Sequence, residues 1–267
     1  MLVPEGAETS AADDLALIRA AAAEAGRIAL RYFRKDPEVW MKGGTSPVSE
    51  ADIAVDRFLR KTLGEERPSY GWLSEETVDT ADRLSALRTF VVDPIDGTRA
   101  FVDGRDVWCV SIAVVENGRP LCGVLDCPAR DEVYEASKDG AALKNSKPIK
   151  VRKPSGVPVV AGPRPLIREL ERAFPAPFKH HPYVPSLAYR IAMLAEGLID
   201  GSFVKANSHD WDLAAADLIL EQAGGRICDV QGHDIVYASA NPKLGILAAG
   251  SGALLDRMVK SIAEYGG

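Results

Sequence analysis

An apolar run, Phe90-Val91-Val92, stops at Asp93, and the chain then meets a proline, a second aspartate, a glycine and a threonine in "VVDPIDGTRAF", Val91 to Phe101. Pro94 fixes its own φ and drives Asp93 toward extended geometry. Gly97 permits a backbone conformation that other residues resist. The stretch predicts a buried strand ending at Asp93, Asp96 on a turn, and a short helical turn capped by Thr98. The N–H groups of Gly97 and Thr98 would then face outward from a helix start, which is where an anion binds. The alternative is an Asx-type turn whose aspartates serve only the backbone. The fragment alone leaves the two readings level.

The surrounding pattern gives the organisation. Ser10 to about Arg34 reads as a helix: Ser10 and Asp13 have capping-box spacing, and Leu15, Ile18, Ala22, Ala25, Ala29 and Phe33 follow at helical intervals. "KGGTSP" reads as a flexible turn, and Ser49 caps a second helix with Ala51, Val55, Phe58, Leu59 and Leu63 on its buried face. Strands are predicted over Thr89–Val92, Val107–Val115, Leu121–Cys127 and Glu132–Ala136, with Asn117-Gly118 as a hairpin turn. Residues 1–150 therefore read as helices on an antiparallel sheet. From Val151, strand-like runs (Val157–Ala161, Ser202–Lys205, Gly225–Cys228, Gly245–Ala249) alternate with helical ones (Pro165–Ala173, Ser186–Gly197, Asp212–Ala223, Gly252–Tyr265). That alternation predicts an α/β lobe. "RKPSGVP" is the expected seam between two packed lobes, 1–150 and 151–267, with a site in the crevice between them.

Bulk properties set bounds. With 267 residues, the chain can form one large domain or two closely packed lobes. No apolar run reaches the length of a membrane span, and the first fourteen residues lack the features of a signal peptide, so a cytoplasmic location is expected. The net charge of −6 disfavours a broad nucleic-acid-binding face. It also means that an anionic ligand needs something to offset the protein's own charge. Cys109, Cys122, Cys127 and Cys228 form no C-x-x-C pair and are expected as buried, reduced thiols, Cys122 and Cys127 on opposite faces of a strand. His180, His181, His209 and His233 lack zinc-ligand spacing.

Two more acidic segments bear on Asp93 and Asp96. "GWLSEET" carries Glu75 and Glu76 after a strand-like stretch, and "SHDWDLAAADLILEQAGG" puts Asp212 near the start of a helix. Taken singly, these are a solvated pair and a helix N-terminal acid. Taken together, carboxylates at element ends with few basic neighbours suit a hard cation: Mg²⁺, Mn²⁺ or Ca²⁺ rather than zinc.

With its upstream "SEET" and "SPVSEADIAVDRFL" and its downstream "WDLAAADLILEQAGG", "DPIDGTRAF" resembles the inositol monophosphatase family of Mg²⁺-dependent, lithium-sensitive phosphatases. The motifs run from Lys42 to Gly225 in the family's order. The resemblance implies a layered αβαβα sandwich of the sugar-phosphatase type, mixing α+β and α/β elements. It also implies residue roles. Glu75, Asp93 and the Ile95 carbonyl would hold one Mg²⁺. Asp93, Asp96 and Asp212 would hold a second, and a third, weaker ion would sit near Glu75. Asp52 and Thr98 would orient the attacking water, Gly97 and Thr98 would contact phosphate, and Lys42 would lie in a flap over the metals. Two such ions can offset the dianion and activate water, so no side-chain nucleophile is needed.

Substrate recognition is where the chain departs from the family. Ser186 and Ala188 match the helix start that approaches the substrate, but Leu187 and Tyr189 replace residues that are small in relatives. Lys205 stands where inositol-specific members carry an acid that accepts a sugar hydroxyl. Lysine offers no acceptor, so it suits a substrate with another anionic or acceptor group; the alternative is a solvated lysine at a strand end. His209 and Asp210 are expected to make local hydrogen bonds or to lie at the surface. The resemblance implies a small phosphorylated metabolite, inositol 1-phosphate first. Histidinol phosphate and 3′(2′),5′-bisphosphate nucleotides are rivals, and fructose 1,6-bisphosphate stands behind them. It also implies a homodimer and, because some bacterial relatives are associated with transcription complexes, a protein-interaction role as the non-enzymatic alternative.

Overall fold

The computed structural model describes residues 9–42, 46–153 and 156–266. Gly43, Gly44 and Thr45 of the expected flexible turn, and Pro154 and Ser155 of the expected seam, lie outside them. Helix α1 (Ala11–Tyr32) starts at the capping box: the Ser10 hydroxyl accepts from the Asp13 N–H at 3.1 Å, and the Asp13 carboxylate accepts from the Ser10 N–H at 3.2 Å. A small hairpin, β1 (Val39–Lys42) and β2 (Ser46–Ser49), leads into α2 (Glu50–Glu66).

Next in the chain come β3 (Gly71–Ser74), β4 (Arg88–Asp96), the short helix α3 (Thr98–Val102), β5 (Cys109–Glu116) and β6 (Arg119–Cys127). β7 (Glu132–Ser137), β8 (Leu143–Lys144) and β9 (Lys147–Pro148) complete this half. These strands form a seven-stranded sheet in the order β3-β4-β5-β6-β7-β8-β9. Asn117 and Gly118, with φ of 50° and 78°, make the two-residue turn from β5 to β6. The expected antiparallel sheet needs correction, because β3 pairs parallel to β4. The long connection from Glu75 to Leu87 returns the chain to the end where β3 began, which a tight hairpin cannot do.

The second half contains β10 (Val159–Ala161), α4 (Arg164–Ala173), β11 (Lys179–His180), α5 (Leu187–Ala195), β12 (Gly201–Val204) and β13 (Ser208–His209). It continues through α6 (Asp210–Gln222), β14 (Arg226–Asp229), β15 (Lys243–Leu244), β16 (Leu247–Gly250) and α7 (Gly252–Ile262). Five of these strands form a mixed sheet in the order β11-β10-β12-β16-β14. The pair β13–β15 stands apart at the head of α6.

Alternation along β4 explains the layering. Phe90 and Val92 join a core with Ile18, Val55 and Leu59 beneath α1 and α2. Val91 points the other way, into a core with Ile191, Leu213 and Ile219 of α5 and α6 and Ala249 of the second sheet. A strand buried on both faces reads as one unbroken apolar run. On the far side, Leu170 of α4 and Leu254 and Met258 of α7 pack on Phe203, Cys228 and Ala248. The result is the αβαβα sandwich. Its core does not break at the seam, because α6 lies directly on β6: a Cβ at Gly123 would fall 2.8 Å from the Ala215 Cα. All four cysteines are buried and unpaired, with Cys122 and Cys127 in different cores. Among the described residues, no helix is long and apolar enough to cross a membrane.

Asp126 on β6 is buried against α1 beside Gly26, and burial pushes its carboxyl up to about 7. An unfolded aspartate titrates near 4, so the folded state holds a proton that the unfolded chain has released. This contribution to stability therefore falls as pH rises from about 4 to about 7. Asp126→Asn should gain stability relative to wild type at pH 8, by on the order of 1–3 kcal/mol, and much less at pH 5. Urea denaturation at the two pH values measures the difference; an equal effect at both would rule out a buried, titrating Asp126.

Candidate active site

The ladder between β4 and β5 slips between Asp93 and Asp96. Pro94 has no N–H to give the ladder, so a bulge forms there. β4 thus runs through Asp96 instead of ending at Asp93, a correction to the sequence reading. Thr98 is also not the cap. Gly97, at φ 98°, caps α3, and Thr98 is its first residue. The turn needs a left-handed backbone at the cap, which threonine resists. A Cβ at Gly97 would lie 3.1 Å from both Ser186 Cβ and the Val107 carbonyl, so the start of α5 and the chain before β5 leave little room for a side chain as well. Asp93 does make the Asx-type bond, its Oδ1 accepting from the Ile95 N–H at 3.0 Å. It also does more than that.

One carboxylate oxygen from each of Glu75, Asp93 and Asp212 lies within 4.8 Å of the others. Three elements deliver them: the end of β3, the bulge of β4, and the first turn of α6. The His209 N–H holds Asp212 Oδ2 at 2.7 Å. Ser111, opposite Asp93 on β5, donates its hydroxyl to the Trp211 carbonyl at 3.3 Å, fixing α6 against the bulge. The electrostatic cost is large. Burial, then the charges of Glu75, Asp96 and Asp212, drives the Asp93 carboxyl well up. Burial and the Asp212 charge push Glu75 to about 8, and burial and the Asp96 charge push Asp212 to about 7. Carboxylates crowded this way need a cation or protons. The all-oxygen set fits a hard divalent ion.

Asp96 is not in that trio. Its Oδ2 accepts from the Ser186 hydroxyl and from the Ala188 N–H at 2.7 Å, and its Oδ1 accepts from the Leu187 N–H at 3.2 Å. The carboxylate therefore sits on the first turn of α5, and Ser186 caps that helix through the Tyr189 N–H at 3.0 Å. Ser186 and Ala188 are tied to Asp96 on the wall of the site.

Asp52 and Thr98 meet: the Thr98 hydroxyl lies 3.2 Å from Asp52 Oδ1 and 3.0 Å from the Ile95 carbonyl. Burial raises Asp52 to about 6 against the opposing bonds from Ser49. Lys42, at the end of the β1 strand, donates to the Glu75 carbonyl and to Glu76 Oε2 at 3.2 Å. Lys205 is exposed just beyond β12, and its charge favours the ionised form of Asp212. His209 stacks on Trp211 with ring centres 4.5 Å apart, and Asp210 accepts from the Ala238 N–H at 2.7 Å. Both make local contacts, as expected.

Some supporting residues gave no signal in the sequence. Ser111 is one. Asp56 accepts from Ser74 at 2.5 Å and Thr77 at 2.9 Å and so pins the chain on both sides of Glu75. Its spacing of one helical turn from Asp52 was the available clue.

Known proteins resemble this chain over nearly its whole length. The model of a family described as the inositol monophosphatase family matches residues 12–266. A histidinol-phosphatase from Mycobacterium tuberculosis is 31% identical over 262 residues, covering 92% of this chain and 96% of its own. An inositol-1-monophosphatase from Mesorhizobium japonicum is 30% identical over 257 residues, covering 91% and 94%. The crystal structure of the extragenic suppressor protein suhB from Bartonella henselae superposes with a TM-score of 0.82 at 26% identity, covering 93% of this chain and 98% of that one.

Proposed function

Because this chain belongs to the inositol monophosphatase family and so hydrolyses phosphate monoesters, we propose that it acts on a small phosphorylated polyol, inositol 1-phosphate first, with Mg²⁺. The observation that carries the reading is the trio of buried Asp93 and half-buried Glu75 and Asp212, whose carboxylate oxygens crowd within 4.8 Å of one another. Glu75, Asp93 and the Ile95 carbonyl would hold one ion. Asp93, Asp96 and Asp212 would hold another, and a third would sit near Glu75. Bound there, Mg²⁺ supplies positive charge that offsets the phosphate dianion and lowers the pKa of water.

The chain's own residues do the rest. The Thr98 hydroxyl, turned toward Asp52, keeps its oxygen as an acceptor that orients the attacking water. Asp52, held near 6, can take up the proton that water loses. The Gly97 and Thr98 N–H groups bind phosphate, and Ser186, Ala188 and Lys205 face the leaving alcohol. Lys42 steadies the Glu75 backbone from the flap. A cytoplasmic homodimer and a division into lobes at residue 150 belong to the same proposal. A Mg²⁺-dependent assay on inositol 1-phosphate, histidinol phosphate, a 3′,5′-bisphosphate nucleotide and fructose 1,6-bisphosphate tests it; no hydrolysis of any of them would count against it.

Two expectations follow for this site. Lys205→Glu should move preference toward neutral polyol monophosphates, about tenfold or more for a charged hydrogen bond. The measure is the ratio of kcat/KM for inositol 1-phosphate and a nucleotide bisphosphate, and an unchanged ratio makes Lys205 a surface lysine. Lithium should inhibit at millimolar levels by taking the Asp212-containing position. A flat Li⁺ titration at fixed Mg²⁺ would separate this chain from its lithium-sensitive relatives.

A further inference from the structure

We propose that Lys243, with Lys42 and Lys205, forms a cationic rim that receives a second anionic group on the substrate. The rim selects bisphosphates and phosphorylated acids over amino-alcohol phosphates. This rests on the phosphatase reading and narrows its substrate class.

Strand pairing carries the inference. Lys243 on β15 lies directly across from His209 on β13 in an antiparallel pair, so the two side chains leave the same face. His209 is fixed in turn, by its N–H on Asp212 and its ring on Trp211. Lys243 is thus delivered to the Asp212 end of the acidic trio. Lys42 sits at the Glu75 end, on that residue's carbonyl. Lys205 enters the turn before β13, where the Ser208 hydroxyl holds its carbonyl at 3.2 Å. The charges of Lys243 and Lys42 both bear on the His209 ring, in keeping with this grouping.

Three lysines from three separate segments therefore surround one acidic floor. Lys205 and Lys243 are exposed, and among the described residues neither has an acidic side chain within ion-pairing distance. Lys42 keeps its pairing with Glu76, but once divalent ions neutralise the floor, the positive charge of Lys205 and Lys243 is no longer offset. It then attracts a second phosphate or carboxylate on the leaving alcohol and repels an ammonium there.

The test compares wild type with Lys243→Met and Lys243→Glu, changes at an exposed position. With Mg²⁺, kcat/KM is measured for fructose 1,6-bisphosphate, inositol 1-phosphate and histidinol phosphate. Lys243→Glu should lower the bisphosphate-to-inositol ratio by roughly three- to tenfold, and raise histidinol phosphate relative to inositol 1-phosphate, with both effects shrinking in salt. An active enzyme with unchanged ratios overturns the rim and leaves the phosphatase reading standing. A second arm needs no turnover: inositol 1,4-bisphosphate and inositol 1-phosphate are titrated calorimetrically, in Mg²⁺, into Asp52→Asn protein, whose metal ligands are intact, with and without Lys243→Glu. Selective weakening of the bisphosphate supports the rim, and equal or absent weakening overturns it.

Discussion

Asp93→Asn is expected to lower phosphatase activity by on the order of 10²–10³-fold or more, the loss seen when one preorganised charge-stabilising group is removed. At the same time it should make the metal-free protein more stable at pH 8. The two effects have one cause. Asp93 is buried and faces Glu75 and Asp212, so its charge is costly without a cation, and on the proposed reading it is what holds one. Asparagine keeps the shape and keeps an oxygen for the Ile95 N–H, so the bulge should survive. Its amide can donate to the neighbouring carboxylates. Activity and the thermal midpoint in chelator are the measurements. An active variant would remove Asp93 from its bridging role, and a lower midpoint would mean the bulge itself had failed.

Mg²⁺ binding is expected to weaken steeply as pH falls from 8 to 6, by about tenfold per unit for each proton displaced. Glu75 at about 8 and Asp212 at about 7 are the groups concerned. Both are raised above their unfolded values, so the folded metal-free protein binds protons that the unfolded chain has released. Its stability therefore falls as pH rises from about 4 to about 8. The ion should reverse this, lifting the thermal midpoint far more at pH 8 than at pH 6. Calorimetric titrations in buffers of different ionisation enthalpy count the released protons. Chelator should abolish hydrolysis, and excess Mg²⁺ should restore it. Binding that is flat across this pH range would show that the trio is not the ligand set.

The sequence made the acids visible because they stand at the ends of apolar runs, where a carboxylate has no packing role. It made the helices visible through Ser10 and Ser49, whose caps depend on spacing within four residues. What it hid is long-range. Nothing local marks β3 as parallel to β4, since direction is decided by where a thirteen-residue connection returns. Thr98 looked like a cap because its type favours caps, yet the turn demanded the left-handed backbone of Gly97. Nothing near Asp96 announces that α5, ninety residues downstream, meets it through Ser186 and Ala188. Ser111 carries no motif at all, and its task exists only once α6 lies across β5.

The helical layer between the two sheets, α5 and α6, comes from the second half of the chain but packs on the sheets of both. A cut in the 150s would strand α5 and α6 from the sheet they cover and leave β4 and β6 with one bare apolar face, so neither fragment holds a complete core. The acidic trio divides along the same line, Glu75 and Asp93 on one piece and Asp212 on the other. Hydrolysis would then be a reporter of reunion: two silent fragments would regain turnover only by docking, and the rate would count the docked pairs.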